Sequence, residues 1–192
     1  LRSLLITSGG PREGKSSTST TIGITLASSS NRTVLVDTDM RKPRLHKIFG
    51  MTNDVGLTSF ILTRDPITQF TRPTEVPGLD LLTCGPLPPN PSELLHTDRF
   101  KELVTELLAN YDTVVFDSPP IDVVSDGLVL ASLVDGVVLV AQSNRTRLDE
   151  AEHTLSLLRG VKAPLMGMVT SRASERGGGY GDRKSTRLNS SH

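Results

Sequence analysis

Several features that mark common classes of protein are scarce or missing in this sequence. The one cysteine, Cys84, leaves no partner for an internal disulfide and no intrachain cluster of cysteine ligands, which fits a reducing cytosol. The longest apolar runs, such as VVLVA at 137–141, are far shorter than the roughly 18 residues of a membrane span, and no signal peptide is visible. Basic and acidic residues number 21 each, so the net charge indicates no nucleic-acid partner, and we predict none.

The length and the two ends of the sequence predict one domain followed by a short tail. A chain of 192 residues with 36% hydrophobic content suffices for one full core and is short for two. We place this domain at 1–176 and the start of a flexible glycine-rich tail at 177–181. The last stretch, DRKSTRLNSSH at 182–192, resembles the translation of a sequencing-library adapter, so we expect it to lie outside the fold. Because the sequence enters a strand at once and has no initial methionine, we also expect upstream sequence to be missing.

Apolar runs alternate with helix-like segments along the chain. Strands are predicted at 3–7, 33–36, 79–83, 113–116, 136–141 and 165–170. Helices are predicted at 15–28, 98–110 and 147–159, with shorter ones at 57–62 and 91–95. The proline-rich stretch at 85–95 is predicted to be an extended loop that closes on a helix cap at Ser92. This pattern predicts an α/β, three-layer, doubly wound domain with a mostly parallel sheet, whose ligands bind at the carboxyl ends of the strands.

The stretch GGPREGKSS has the spacing of a phosphate-binding loop. Gly9 is followed after four residues by Gly14, Lys15 and Ser16, between a predicted strand and a predicted helix. Backbone amides of such a loop surround phosphates, Lys15 would reach the β and γ phosphates of ATP, and Ser16 would ligate Mg²⁺. The predicted nucleotide-binding residues are Gly9, Gly10, Pro11, Arg12, Glu13, Gly14, Lys15, Ser16 and Ser17.

Two predicted strands end in carboxylates. Asp37 and Asp39 follow the strand at 33–36, and alternation along a strand places both on one side, with Arg41 behind them. Like charges that close require a metal, a lysine or a shared proton between them. Asp117 ends the strand at 113–116, where nucleotide-binding domains hold a magnesium-bound water. We therefore expect Asp37 and Asp39 to face a site in which Mg²⁺ and Lys15 relieve their repulsion.

Taken together and in this order, four stretches resemble the bacterial tyrosine kinases of capsule and exopolysaccharide biosynthesis. These are GGPREGKSS, VLVDTDMRKPRLHKIFG, GPLPPNPSELL and YDTVVFDSPPIDVVSD, and the resemblance spans 3–181. It implies a P-loop NTPase fold related to MinD and ParA, with Walker A, A′ and B elements at 9–16, 34–39 and 114–117. One departure is Arg12, which stands where the family usually has glycine.

The resemblance also implies a mechanism. The γ-phosphoryl group of ATP would pass to a protein tyrosine, including tyrosines of the kinase itself. Lys15 and Mg²⁺, held by Ser16 and Asp117, would neutralise the developing phosphate charge. Asp37 would orient the tyrosine hydroxyl and accept its proton, with Asp39 in support. Lys15, Asp37 and Asp39 are thus the predicted catalytic residues.

Partners and location are implied by the resemblance as well. The family carries a tyrosine-rich tail that is phosphorylated within a ring of subunits, and Tyr180 is the phosphoacceptor candidate here. The family is stimulated by a membrane-embedded chain-length protein, so we expect a cytoplasmic kinase at the inner face of the membrane, held there by that partner or by a fused segment. Tyr111 is expected to pack in the core. The remaining residues with reactive side chains are read as packing or surface groups: Met40, His46, Cys84, His96 and His153.

Three alternatives remain. A partitioning or positioning ATPase of the MinD and ParA type would have a signature lysine where this chain has Gly10. An iron-sulfur carrier ATPase would need a cysteine pair. A polysaccharide regulator of the same fold with degenerate kinase activity is supported only by Arg12.

Overall fold

Seven strands form one sheet in the part of the chain that the computed structural model describes, residues 1–29 and 31–171. The strands are β1 (Ser3–Ser8), β2 (Thr33–Asp37), β3 (Arg72–Pro73), β4 (Leu79–Leu82), β5 (Thr113–Asp117), β6 (Gly136–Gln142) and β7 (Leu165–Ser171). Their spatial order is β3-β4-β2-β5-β1-β6-β7, and every neighbouring pair is parallel except β3 and β4. The predicted mostly parallel α/β sheet is confirmed.

Helices cover both faces of the sheet. They are α1 (Lys15–Ser28), α2 (Leu45–Ile48), α3 (Leu57–Leu62), α4 (Pro91–Leu95), α5 (Asp98–Asn110), α6 (Asp126–Ala131) and α7 (Leu148–Gly160). Apolar residues of α1 and α2 pack on one face, and those of α3 to α7 pack on the other. The result is the predicted three-layer, doubly wound domain. None of the helices in the described ranges is long and apolar enough to cross a bilayer.

Burial on both faces explains the composition of the central strands. All residues of β1, β2 and β5 are buried, so their sequences read as apolar runs rather than as alternating apolar and polar residues. Helix α1 buries small side chains four residues apart, Ser19, Gly23 and Ala27, along the side that faces the sheet. This stripe of small residues lets α1 lie close to the strands beneath it.

The structure differs from the sequence prediction in some short elements. Strand β3, helices α2 and α6 and a 3₁₀ turn at Ile67–Gln69 were not predicted. Each is at most six residues long, so none carries a full period of apolar pattern. Helix α7 begins at Leu148 rather than at Arg147, whose extended backbone donates its N–H to Glu150 (3.1 Å).

The helix cap predicted at Ser92 is wrong. The N-cap is Asn90, two residues earlier, and helix α4 begins at Pro91. Proline suits the first helical position because its missing N–H would have no partner there. The Ser92 hydroxyl instead donates to Asp126 (2.7 Å).

Strand β7 lies at one edge of the sheet and is exposed on both faces. The exposed fractions of Leu165, Met166, Met168 and Val169 range from 37% to 58%. The proposed tail at 177–181, the adapter-like stretch at 182–192 and Tyr180 lie outside the described residues, as does the end of the predicted domain at 172–176.

Candidate active site

The phosphate-binding loop joins β1 to α1 at the carboxyl edge of the sheet. Strand β1 lies between β5 and β6, so the loop faces the carboxyl ends of both neighbours. The strand-loop-helix context that the motif requires is therefore present.

The start of α1 is suited to bind an anion. Its N-cap, Gly14, has no capping side chain, and the first turn contains no acidic residue. The first amides of a helix have no partner within the helix, and the helix dipole adds positive potential there. Gly14 itself has a φ of 97°, and a Cβ at this position would lie 3.0 Å from the Ser171 side chain. The loop thus presents backbone donors to a phosphate group at a position that only glycine accommodates.

Arg12 adopts a left-handed backbone within the same loop. Its φ is 65°, a conformation that glycine adopts without strain and that arginine rarely adopts. This explains physically why glycine suits the position. The Arg12 side chain is exposed at the loop surface.

Glu13 braces the loop from within. Its buried carboxylate accepts the N–H of Gly10 (2.9 Å) and the hydroxyl of Thr146, while the Ser171 hydroxyl donates to its carbonyl. Sequence reasoning counted Glu13 only as a member of the loop, because its partners beyond Gly10 come from the distant β6–α7 connection and from β7. The brace fixes the loop ahead of Lys15.

Lys15 is buried at the first position of α1. Burial lowers the pKa of its ammonium group, and the nearby negative charges of Asp117, Asp39 and Glu13 oppose that shift. The amine therefore lies near the negative charges of Asp39 and Asp117. The sequence predicted Lys15 near Asp37 and Asp39, and its action on Asp37 stays a prediction.

Two hydroxyl groups of α1 hold Asp117. Ser16 Oγ donates to Asp117 Oδ2 (2.6 Å), and Ser19 Oγ donates to Asp117 Oδ1 (2.9 Å). Burial raises the pKa of Asp117 to about 6, against the lowering effect of these two hydrogen bonds and of Lys15. The sequence predicted that Ser16 and Asp117 hold one Mg²⁺, but it did not identify Ser19 as a partner of Asp117. The signal was available, because Ser19 follows Lys15 by one helical turn and lies on the same face.

Asp37 and Asp117 are paired across adjacent strands. The register of β2 with β5 sets Asp37 directly beside Asp117 at the ends of the two strands. Asp37 is 0% exposed, and its Oδ2 accepts the backbone N–H groups of Arg44 and Leu45 (both 3.0 Å). Burial, followed by the charge of Asp117, raises the pKa of Asp37 to about 8 despite these two hydrogen bonds. Without a cation, burial and the charge of Asp117 therefore favour the protonated form of Asp37.

Asp39 organises the loop that follows β2. Its Oδ1 accepts the backbone N–H groups of Arg41 (3.2 Å) and Lys42 (2.9 Å). The side chain is only half-buried, unlike that of Asp37. The loop at 38–44 is thus tied by its backbone to both aspartates.

The donor set fits a magnesium ion that is shared with a nucleotide. Among the described residues, no group of three or more His, Cys, Asp or Glu side chains is arranged to hold a metal alone. Mg²⁺ beside nucleotides instead keeps several waters and takes one or two protein oxygens together with the phosphates. Ser16 Oγ and the carboxylate of Asp117, which is buried beside another carboxylate, are oxygen donors of that kind.

Other singled-out residues lie outside this site. Tyr111 is buried, donates to Asp80 (2.7 Å) and has a pKa raised to about 12 by burial, so the packing role predicted for it is confirmed. Cys84 is buried, and burial raises the pKa of its thiol. His46 is half-buried, and burial lowers its pKa.

Comparison with known proteins gives consistent matches. A family model described as ParA: NUBPL iron-transfer P-loop NTPase matches residues 2–175. The tyrosine-protein kinase YwqD of Bacillus subtilis is 40% identical over 169 residues, which cover 88% of this chain and 71% of that kinase. The tyrosine-protein kinase wzc of Salmonella typhimurium is 31% identical over 93% of this chain, but the match covers only 25% of wzc.

A solved structure supports the same relationship. The crystal structure of the chimerical protein CapA2B2 superposes with a TM-score of 0.86 at 37% identity, over 90% of this chain and 76% of that one. Two tyrosine-protein kinases thus match most of this chain in sequence, and a solved structure matches its fold. The chain belongs to the bacterial tyrosine-protein kinase family, within the wider ParA-type group of P-loop NTPases.

Proposed function

We propose that this protein transfers the γ-phosphoryl group of ATP to protein tyrosines and thereby regulates the synthesis and chain length of capsular or exopolysaccharide. The observation that carries the proposal is the hydrogen bond from Ser16 to Asp117 beside the phosphate loop, next to the paired carboxylate of Asp37. It joins a phosphate-binding helix end, a magnesium donor set and a proton acceptor within one edge of the sheet.

Phosphate is held by the loop and by Lys15. The amides at the start of α1 and the Lys15 ammonium bind the β and γ phosphates and stabilise the charge that develops on them during transfer. Ser16 and Asp117 would hold Mg²⁺, which supplies further positive charge at the phosphates when bound. Ser19 keeps Asp117 in place from the opposite oxygen.

Asp37 is the proposed proton acceptor. Bound Mg²⁺ would relieve the repulsion between Asp37 and Asp117 and leave Asp37 ionised, so that its carboxylate can accept the proton of a tyrosine hydroxyl during transfer. As the tyrosine oxygen bonds to phosphorus, its proton passes to Asp37, and the electron pair of the breaking bond leaves with ADP. Because Asp37 is fully buried, the loop at 38–44 must shift to admit the tyrosine.

The remaining parts of the proposal concern segments and partners beyond the described residues. Tyr180 is the proposed phosphoacceptor, presented between subunits of a ring. A membrane-embedded polysaccharide chain-length protein is the proposed activator, which would hold the kinase at the inner face of the cell membrane. The match to a quarter of wzc supports this, since that relative combines a region like this chain with a much longer sequence.

The test is to incubate the protein with Mg²⁺ and ATP and to measure phosphotyrosine with a specific antibody. Phosphotyrosine is measured both on the chain itself and on an added tyrosine-containing peptide. We expect Lys15→Met to nearly abolish transfer, while Lys101→Met, at an exposed lysine of α5, retains it. Calorimetry should show ATP binding that depends on Mg²⁺.

Two results would overturn the proposal. Nucleotide binding without any phosphotyrosine would indicate the regulator with degenerate activity. ATP hydrolysis that responds to DNA or lipid vesicles, again without phosphotyrosine, would indicate a positioning ATPase.

A further inference from the structure

Asp126 is a buried carboxylate that the proposed mechanism does not use. It is the first residue of α6 and is 3% exposed. A buried charge is costly unless it is paired and hydrogen-bonded. Asp126 has two partners from other parts of the chain: Ser92 Oγ donates to its Oδ1 (2.7 Å), and the Arg41 guanidinium lies 3.5 Å from its Oδ2.

The three side chains form a compact cluster, which we name the Arg41 clamp. Arg41 Nη2 also donates to Ser92 Oγ (3.0 Å), so one guanidinium group contacts both α4 and α6. Arg41 itself belongs to neither helix and lies in the loop between β2 and α2. The clamp therefore joins three segments that are far apart in the sequence.

On one side, the clamp holds the loop that carries the catalytic candidates. The backbone N–H of Arg41 donates to Asp39, and Arg44 further along the same loop donates to Asp37. A displacement of Arg41 would therefore be transmitted to the hydrogen bonds of both carboxylates.

On the other side, the clamp rests on the segment that follows Asp117. Gly127, next to Asp126, lies so close to this segment that a Cβ there would be 3.0 Å from Ile121 Cγ1 and 3.4 Å from the Pro119 carbonyl. Helix α6 is thus seated directly on the residues that extend from Asp117. Asp126 thus links the segment after Asp117 to the loop after β2 through its contact with Arg41.

We propose that Asp126 is a positioning residue for phosphoryl transfer: through Arg41 it holds the loop at 39–44, whose backbone amides bond Asp39 and Asp37, in place beside the end of β5. The inference rests on the proposed function, because the position of this loop matters only if these carboxylates share one reaction. Asp126 itself touches neither the nucleotide nor the tyrosine.

The first test uses the protein without metal or nucleotide. Hydrogen exchange followed by mass spectrometry should show amides at 39–45 exchanging about 10-fold faster in Asp126→Asn and in Arg41→Ala, because the loop loses its distant anchor. The matched control is Asp98→Asn, which breaks the exposed ion pair with Lys101 and should leave exchange at 39–45 unchanged.

The second test uses the complete reaction. Asp126→Asn should lower kcat about 10- to 100-fold, the range for a misplaced catalytic group, and raise the Mg²⁺ concentration for half-maximal activity, with KM for the tyrosine peptide changed less. The double variant Arg41→Ala, Asp126→Asn should lose no more activity than the worse single variant, because each single change already removes the same contact between Arg41 and Asp126.

Each outcome of these tests either supports or overturns the positioning role of Asp126. Unchanged exchange at 39–45, additive losses in the double variant, or an increase in kcat would overturn the positioning role. If the unaltered protein makes no phosphotyrosine, the proposed function fails, and the clamp is then judged by exchange and by the Mg²⁺ dependence of ADP binding. Thermal melting of each variant shows whether it is folded, and Arg41→Lys gives a second, milder break because the lysine side chain is one bond shorter and its ammonium falls short of Ser92 and Asp126.

Discussion

Replacing Asp37 should stabilise the metal-free protein, although it damages catalysis. In the folded chain Asp37 lies buried beside Asp117, which raises its pKa from 3.8 to about 8. At pH 7 Asp37 is therefore mostly protonated in the folded protein but ionised in the unfolded chain. This difference lowers the free energy of unfolding by up to about 4 kcal/mol. Part of that figure belongs to Asp117, because the two carboxylates titrate together.

Asparagine keeps most of the local geometry. Its side-chain oxygen retains the bonds from Arg44 and Leu45, but its NH₂ group faces the N–H of Asp39, which costs about 1 kcal/mol. We therefore expect a net stabilisation of about 2 kcal/mol for Asp37→Asn at pH 7, or about 4–8 °C in Tm for a chain of this size.

The dependence on pH tests the cause. Because the pKa is higher in the folded state, the unfolded chain binds fewer protons between about pH 4 and 8, and this contribution makes the parent protein less stable as the pH rises through that window. The advantage of Asp37→Asn should thus be largest at pH 8 and vanish near pH 4.

The assay is differential scanning calorimetry of metal-free protein from pH 4 to 8. The control is Asp54→Asn, at an exposed position, which should show no such trend. An equal or lower Tm for Asp37→Asn at pH 8, or an advantage that does not shrink toward pH 4, would refute the reasoning. Addition of Mg²⁺ and ADP should narrow the difference, since a cation relieves the same repulsion.

Two further substitutions test the phosphate loop and the metal donors. Arg12→Gly should raise the free energy of unfolding by about 0.5–1 kcal/mol, because glycine adopts the φ of 65° without strain; a lower Tm would mean that Arg12 makes a contact worth more than the strain. Ser19→Ala should raise the pKa of Asp117 further and increase the Mg²⁺ concentration for half-maximal kinase activity several-fold, because Asp117 loses a bond that favours its charged form. Ser28→Ala, at the exposed end of the same helix, is the control, and an equal Mg²⁺ requirement in both variants would contradict the role given to Ser19.

Much of the site could be predicted because its signals are local. The phosphate loop is a contiguous motif, and Asp37 and Asp117 each end an apolar run that reads as a buried strand. These signals depend on neighbours in the sequence alone. The positions of the main strands could be predicted for the same reason, to within a residue or two at each end.

The rest depends on contacts between distant segments. That Asp37 lies directly beside Asp117 follows from the pairing of β2 with β5, which no local pattern specifies. The same holds for the brace from Thr146 to Glu13 and for the clamp between Arg41 and Asp126. The short helix α6 was missed because six residues show too little periodicity, although it supplies the buried end of that clamp.

The strand order also determines when the protein becomes able to bind a ligand during its synthesis. Strand β1 and the phosphate loop leave the ribosome before the other strands of the sheet, yet the pairing partners of β1 are β5 and β6, which are made far later. Until Asp117 has emerged, β1 has no neighbour in the sheet and Ser16 has no carboxylate to contact. Nascent chains that end before Thr113 therefore gain no stability from ATP, and they expose an unpaired apolar strand that chaperones must shield.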